Sequence, residues 1–493
     1  MKPISAASAA LLAYLVWGSL GWPLIHDAPL MHYIAWLIGQ GGVPYRDAFD
    51  MNLPGVYVLH LAVLSVGGAG DLAWRCFDLG WLAATCAALR VYAQPLGDGV
   101  AATAGALLFG LYHLSGGAWR AGQRDFLLGL FLLAGAYGVA RGLERDTRWA
   151  LLAGGLALGA GMTVKPHAGL FWLVCAVVAT GWSRQAGRAA WPAGVTVVAG
   201  GLAVPALVFG WLAWRGGLGP FWAILTGYVL PLYSQVGRVS VIEATRWHQH
   251  GRALFTLLAL LAGLGVLART GAGSSPRLVL AGLGAVYGAA HFALQGKGWE
   301  YQLDPLALFL CALAPAAVAW RRADGRPRRL DLWGARRPLA LAAWALLLVV
   351  LVAKGVDARE PAWVVAKARR VAALTRDLAP LAPAGSTVQV MDTTAGGIHA
   401  LLRLGLREPT RFIYDFHFFH HVDDPRIRAL RTELVAGLRT ARPAAVVVME
   451  ESWPGLGYER LETFPELREL LEGSFVLAVT GDGYRIYAKR SDS

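Results

Sequence analysis

Apolar runs long enough to cross a bilayer recur along residues 1–354, separated by short polar loops. A hydrocarbon core about 30 Å thick needs roughly 20 apolar helical residues. Such runs fall near 6–25, 75–93, 99–115, 126–140, 149–163, 167–182, 192–213, 253–268, 277–294, 302–320 and 338–354. The alternating pattern of a barrel is absent, so spanning helices that satisfy their own backbone are predicted. One further apolar segment, Gly55 to Gly68, is short and holds His60. It decides the topology. If it lies in the interface, the basic loops 141–148, 182–188, 268–277 and 321–337 all fall on one side. The positive-inside bias favours that scheme, with about eleven spans, the N-terminus inside and the C-terminus outside. The segment then joins the first outer loop as a juxtamembrane helix.

After Lys354 the pattern changes. Candidate strands at 387–392, 411–416, 444–451, 474–481 and 484–490 alternate with candidate helices near 360–379, 396–405, 425–440 and 461–472. This is an α/β pattern. The chain therefore reads as an α-helical polytopic membrane protein with a small soluble C-terminal α/β domain. The division is 1–354 membrane-embedded and 355–493 outside the membrane.

Composition agrees. The 493 residues are 56% hydrophobic and 16% charged, against about 25% charged in a typical soluble protein. The net charge of +13 would suit nucleic acid in a soluble chain. Here the basic residues sit in loops between spans, so no nucleic-acid partner is expected. The four cysteines, Cys76, Cys86, Cys175 and Cys311, fall in apolar runs without metal-ligand spacing and read as small core residues. Lys2 and the following apolar run mimic a signal peptide, but no cleavage site precedes the loop, and an uncleaved first span is expected.

The sidedness sorts the polar residues. The stretches 26–74, 116–125, the turn at Lys165, 214–252 and 295–301 share the outer face. They mix acids, His, Trp, Tyr and Lys, whereas the inner loops are plain and Arg-rich. Asp27 follows the first span, with His26 and His32 nearby to polarise it; it also suits an N-cap for the helix begun by Ala28-Pro29. Tyr45, Asp47 and Asp50 lie in GGVPYRDAFDMNLPG, where the two acids either line one face of a turn or serve as turn residues. Arg124 and Asp125 precede a span, as a membrane-edge anchor or as a second outer acid. Lys165 before Pro166 is either a snorkelling lysine or, at a helix N-terminus, an anion site. Lys297 lies between two glycines, with Trp299 and Tyr301 as interfacial or sugar-stacking rings. Oxygen ligands from separate loops would suit Mg²⁺ or Mn²⁺, so a divalent cation between Asp27 and Asp125 is an open alternative; no other cofactor is indicated. Walker, GxSxG, HExxH and dinucleotide fingerprints are absent.

The order of these elements is a span, D-x-x-x-x-x-Y (Asp27 to Tyr33), G-G-x-P-Y-R-D-x-F-D-x-N-x-P-G (Gly41 to Gly55), G-Q-R-D (Gly122 to Asp125), K-P-H (Lys165 to His167) and G-K-G-x-E-Y (Gly296 to Tyr301). Over about residues 1–320 it resembles the C-type polytopic glycosyltransferases that use polyprenyl-phosphate sugars. These include protein O-mannosyltransferases, the lipid A aminoarabinose transferase and rhizobial core transferases. The resemblance implies a lipid-linked donor, a glycan, lipid or protein acceptor, membrane lipid as a further partner, and transfer on the outer face of a bacterial inner membrane. It implies Asp27 as the base on the acceptor, Asp50 and Asp125 as further catalytic acids, and Lys165 and Lys297 as partners of the donor phosphate. Arg124, Tyr301, Asp47 and Tyr45 would line the substrate. The family often has Asp-Glu where this chain has Asp27-Ala28, which leaves metal dependence open.

Two other classes compete. A lipid-linked saccharide transporter or flippase predicts ionisable residues near the midplane and inverted repeats. A membrane scaffold with a partner-binding tail predicts no need for the outer acids. The acids gathered at one face favour the enzyme.

Overall fold

The computed structural model describes residues 2–490 except His248 and residues 270–274, 319–335, 359–361 and 455–456. Most of the basic loop 321–337 therefore lies outside the described residues. The chain forms two compact units. One comprises residues 1–21, 76–208 and 238–361; the other comprises 22–75, 209–237 and 362–493.

The first unit is a bundle of helices, and most predicted apolar runs match one; the run 302–320 is instead divided into Asp304–Leu313 and Pro315–Val318, its last two residues lying outside the described ones. Among the described residues, six are long and apolar enough to cross a membrane: Arg124–Arg145, Trp191–Trp214, Gly251–Arg269, Pro276–Gln295, Glu300–Val318 and Arg337–Val356. Gly99–Ser115 and Arg148–Val164 are shorter apolar helices. This is the architecture of a multi-pass membrane protein. Helices approach closely where both surfaces are glycine. A Cβ on Gly138 would stand 2.7 Å from Gly154 Cα, and one on Gly159 would stand 2.5 Å from the Gly201 carbonyl oxygen. Without a hydrophobic driving force in lipid, such small-residue contacts hold the helices by packing.

The helix Arg124–Arg145 shows how charge is distributed. It has 22 residues, so it runs roughly 33 Å. Near its C-terminus Glu144 pairs with Arg277 at 2.8 Å, and Asp146, just beyond, pairs with Arg188 at 3.2 Å. Arg277 also donates to the Val91 and Tyr92 carbonyls, and Arg269 to Pro95. Three of the predicted basic loops thus meet at this end. Asp125 marks the other end.

The second unit joins the first loop to the tail. The loop contributes two short helices, Ala28–Gly39 and Pro54–Gly67. The 14 residues of the latter span about 21 Å, short of a bilayer core. The tail holds a sheet of β1 (Val388–Met391), β2 (Ala445–Met449), β3 (Phe475–Gly481) and β4 (Tyr484–Lys489) in the order β1-β2-β4-β3. β1 and β2 are parallel, with Val388 opposite Ala445, and fully buried; the β2–β4 and β4–β3 pairs are antiparallel. Helices Gly397–Leu404 and Pro425–Ala441 connect β1 to β2, a crossover that parallel strands require. The predicted strand at 411–416 is not one. Its backbone bonds elsewhere: the Phe412 carbonyl accepts from Gln389 Nε2, the Arg411 carbonyl from Phe49 N, and Asp415 N donates to the Asp392 carbonyl. The predicted helix 461–472 is a 3-10 segment, Gly457–Thr463, followed by a helix, Pro465–Ser474.

Candidate functional site

In the first unit, the outer-loop residues of the sequence converge on Asp125. The carboxylate is fully buried, at the first turn of its helix. Lys165 Nζ lies 3.0 Å from one oxygen, and His291 Nε2 and Gln295 Nε2 lie 2.7 and 3.1 Å from the other. Lys165 also donates to Gln295 Oε1 at 2.6 Å, and Gln302 donates to the same oxygen at 3.0 Å. Lys165 is 8% exposed and ion-paired, so it is not a snorkelling lysine. The following helix starts at Ala168 rather than at Pro166. His291 and Gln295 were not singled out in the sequence, although an ionisable residue inside an apolar run is itself a signal.

A second buried network lies on the same loops. Arg120 donates to Glu300 at 2.8 Å and stands 3.4 Å from Asp304, with its guanidinium 4.0 Å over the Tyr112 ring. Lys354 pairs with Glu300. Arg124 is half-buried beside Asp125. Tyr301 is buried between Trp299 and Trp119, at ring distances of 5.6 and 6.2 Å.

Lys297 is 9% exposed. Gly296 and Gly298 flank it at φ 62° and 69°, a conformation that only glycine adopts without strain. The Gly296 carbonyl accepts from Val239 N at 2.8 Å, which brings Arg238 alongside. Burial and the Arg238 charge push the Lys297 ammonium down to about 8. Two cations share this corner, and a group that raises the cost of a second positive charge favours an anion.

In the second unit, Asp50 is buried and fully engaged. It accepts from Met51 N at 2.8 Å, Asn52 Nδ2 at 2.9 Å, Tyr414 OH at 2.9 Å and the Tyr57 hydroxyl. Tyr45, at φ 67°, donates to the Asn52 carbonyl at 2.6 Å. Asp50 and Tyr45 therefore fix the shape of the loop. Asp47 does not share a face with Asp50: it is partly exposed, pairs with Arg46 at 2.8 Å and accepts from Val43 N at 2.8 Å. Its carboxyl is held below the usual range chiefly by the Arg46 hydrogen bond.

Asp27 precedes the helix Ala28–Gly39, but its side chain makes no capping hydrogen bond. The capping alternative therefore does not account for it. His26 adopts φ 51°, a strained conformation outside glycine. His32 turns instead to His60, with the Nδ1 atoms 3.0 Å apart, and burial lowers it to about 4. The tail closes around this loop. Asp71 accepts from Leu24 N at 3.0 Å and pairs with His399 at 3.1 Å and Arg403 at 2.7 Å. Burial works to raise the Asp71 carboxyl, but His399, the Leu24 N–H and Arg403 outweigh it and hold it at about 2. These tail residues carry no spacing signal that would have connected them to the first loop.

Among the described residues no group of three or more His, Cys, Asp or Glu side chains is arranged to hold a metal ion. The Asp125 carboxylate already faces an ammonium on one oxygen and two nitrogens on the other. These contacts engage both oxygens of the Asp125 carboxylate.

The fold is similar to those of several solved transferases. Its solved counterparts include ArnT from Cupriavidus metallidurans bound to undecaprenyl phosphate, at TM-score 0.56 and 16% identity over 99% of this chain and 98% of that one. AglB from Archaeoglobus fulgidus, in complex with an inhibitory peptide and a dolichol-phosphate, matches at 0.51 and 13% identity over 99% and 74%. The arabinofuranosyltransferase AftD from Mycobacteria matches at 0.52 and 15% identity over 100% and 42%. At these identities the likeness is one of fold. No protein-family model and no curated protein sequence matches the chain.

Proposed function

We propose that the protein is a membrane glycosyltransferase that moves a sugar from a polyprenyl-phosphate donor to a glycolipid, polysaccharide or protein acceptor on the outer face of the inner membrane. The observation that carries this reading is the end-to-end likeness in fold to ArnT, whose counterpart structure holds undecaprenyl phosphate. The remaining apolar helices, such as Lys2–Ser19 and Ala168–Gln185, complete about eleven spans, with the N-terminus cytoplasmic and residues 355–493 periplasmic.

In this reading the reaction inverts the sugar carbon. Asp27 takes the acceptor hydroxyl proton as the acceptor oxygen bonds to that carbon. The bond from the carbon to the phosphate oxygen breaks, and polyprenyl phosphate leaves with the electron pair. Lys297, with Arg238 beside it, meets the leaving charge. Lys165, balanced by Asp125, contributes less net charge and orients the polar end of the bundle. Asp125 and Arg124 shape that end, Tyr301 supports it from its aromatic cluster, and Asp50, Asp47 and Tyr45 hold the first loop.

The test is transfer by the purified protein from a panel of undecaprenyl-phosphate sugars to envelope glycolipids. Asp27→Asn is expected to abolish transfer and leave the melting profile unchanged. Full activity in that variant would remove Asp27 from the mechanism.

A further inference from the structure

The bundle holds an open cleft at the end remote from Asp125. Its volume is about 630 Å³, and Lys2, Arg90, Asp98 and Arg337 line it together with Val100 and Val318. All of them belong to the first unit. Helix ends bring them together. Arg90 stands in the last turn of Asp71–Ala93, and Asp98 caps Gly99–Ser115. Lys2 and Arg337 lie in the first turns of Lys2–Ser19 and Arg336–Ala358. The carbonyls of Val91 and Tyr92, which follow Arg90, accept from Arg277, and that of Pro95 accepts from Arg269. The cleft therefore shares the end where the basic loops meet.

Among the described residues, three cations and one acid line the cleft, and the acid is partly spent. Asp98 Oδ1 accepts from Ala101 N at 2.8 Å, the cap of its own helix. Arg90 Nε donates to Thr103 Oγ1 at 3.0 Å, a neutral partner that fixes the guanidinium without balancing its charge. The helices that begin at Lys2, Gly99 and Arg336 add their positive ends. Cations gathered in this way repel one another, and a bound anion relieves that cost. The apolar wall says which anion. Val318 is buried and Val100 is exposed, so hydrocarbon can lie beside the charges. The ends of spanning helices sit at headgroup level, and basic pockets between such helices take phosphate headgroups.

We propose that this cleft binds the headgroup of an anionic phospholipid, with Lys2, Arg90 and Arg337 on the phosphate and Val100 and Val318 against the glycerol and acyl carbons. The site lies apart from Asp125 and Lys297, and the proposal does not depend on the transfer reaction.

The experiment titrates the purified full-length protein, stripped of lipid in detergent, with phosphatidylglycerol or phosphatidylcholine and counts bound lipid by native mass spectrometry. Phosphatidylglycerol is expected to bind about tenfold more tightly or better. Arg90→Gln/Arg337→Gln should weaken it about 30-fold. Arg145→Gln/Arg148→Gln removes the same charge from exposed positions at the same end but outside the cleft, and should change affinity by less than about twofold. Asp98→Asn keeps an N-cap and removes the acid, so it should tighten binding about fivefold, a gain that misfolding cannot produce. Equal affinity for the two lipids overturns the proposal, as does an equal loss in the Arg145/Arg148 variant, since the charge of the whole face then attracts lipid. Displacement by sn-glycerol 3-phosphate at the same concentration as by lipid overturns it too, because the ligand is then a free phosphate ester. Should Arg90→Gln/Arg337→Gln fail to fold by circular dichroism, Asp98→Asn and Lys2→Gln carry the comparison, and unchanged affinity in both overturns the proposal.

Discussion

Substitution of Asp125 by Asn separates structure from chemistry at the polar end of the bundle. The side chain keeps its shape and loses its charge. Lys165, with its side chain 10% exposed, is left with Gln295 Oε1 as its neutral acceptor. The new amide NH₂ must face either the Lys165 ammonium or the His291 and Gln295 nitrogens, all of them on the donor side of Asp125. Removing one partner of a buried pair costs about 3–5 kcal/mol. Lys165→Met alone leaves the carboxylate buried without its cation and is expected to cost a similar amount. The double variant removes both charges, so its loss should fall short of the sum by about 1–3 kcal/mol. Unfolding in mixed micelles, titrated with SDS and followed by circular dichroism, gives the three values. An Asp125→Asn protein as stable as wild type, or strictly additive losses, would refute the ion-pair argument.

Two further outcomes follow from single positions. Burial and Arg238 hold the Lys297 ammonium near 8, so it is charged below that pH and neutral above it. Equilibrium binding of fluorescent undecaprenyl phosphate should weaken as pH rises from about 7 to about 9, and Lys297→Met should bind weakly with a flat profile; constant wild-type affinity across that range would remove Lys297 from the phosphate site. Gly159→Ala places a Cβ 2.5 Å from the Gly201 carbonyl oxygen, backbone that cannot yield without parting two helices. It should cost about 1–3 kcal/mol in the same SDS titration, whereas Gly181→Ala, with open space around its Cβ, should cost nothing.

The sequence made the helices legible because apolar length is a local signal that lipid imposes on every span. It also made the Asp125–Lys165 neighbourhood legible, since charge bias sorted both onto one face. It did not reveal that they pair, because the pairing depends on how the turn at Lys165 meets the end of the helix Pro276–Gln295. The strand pattern at 411–416 misled because burial alone resembles a strand; its backbone groups are met by Gln389 and by Phe49 of the first loop. The place of Asp50 before Pro54 marked it as a site residue, but not that the hydroxyls of Tyr57 and Tyr414, from outside its own turn, donate to it. No local pattern could have shown that the tail folds onto the first loop through Asp71, His399 and Arg403, contacts of high sequence separation.

The carboxyl end of β1 bears on what the tail can bind. A strand, a glycine-containing loop and a helix N-terminus, as in Met391 to Gly397, form the arrangement that elsewhere cradles a nucleotide phosphate. Here the cradle holds the chain's own carboxylate. Asp392 takes the N–H groups of Ala395, Gly396 and Gly397, and a Cβ on Gly397 would already stand 2.2 Å from Val390 Cγ1. The donors that would recognise a phosphate are consumed, and the space is closed.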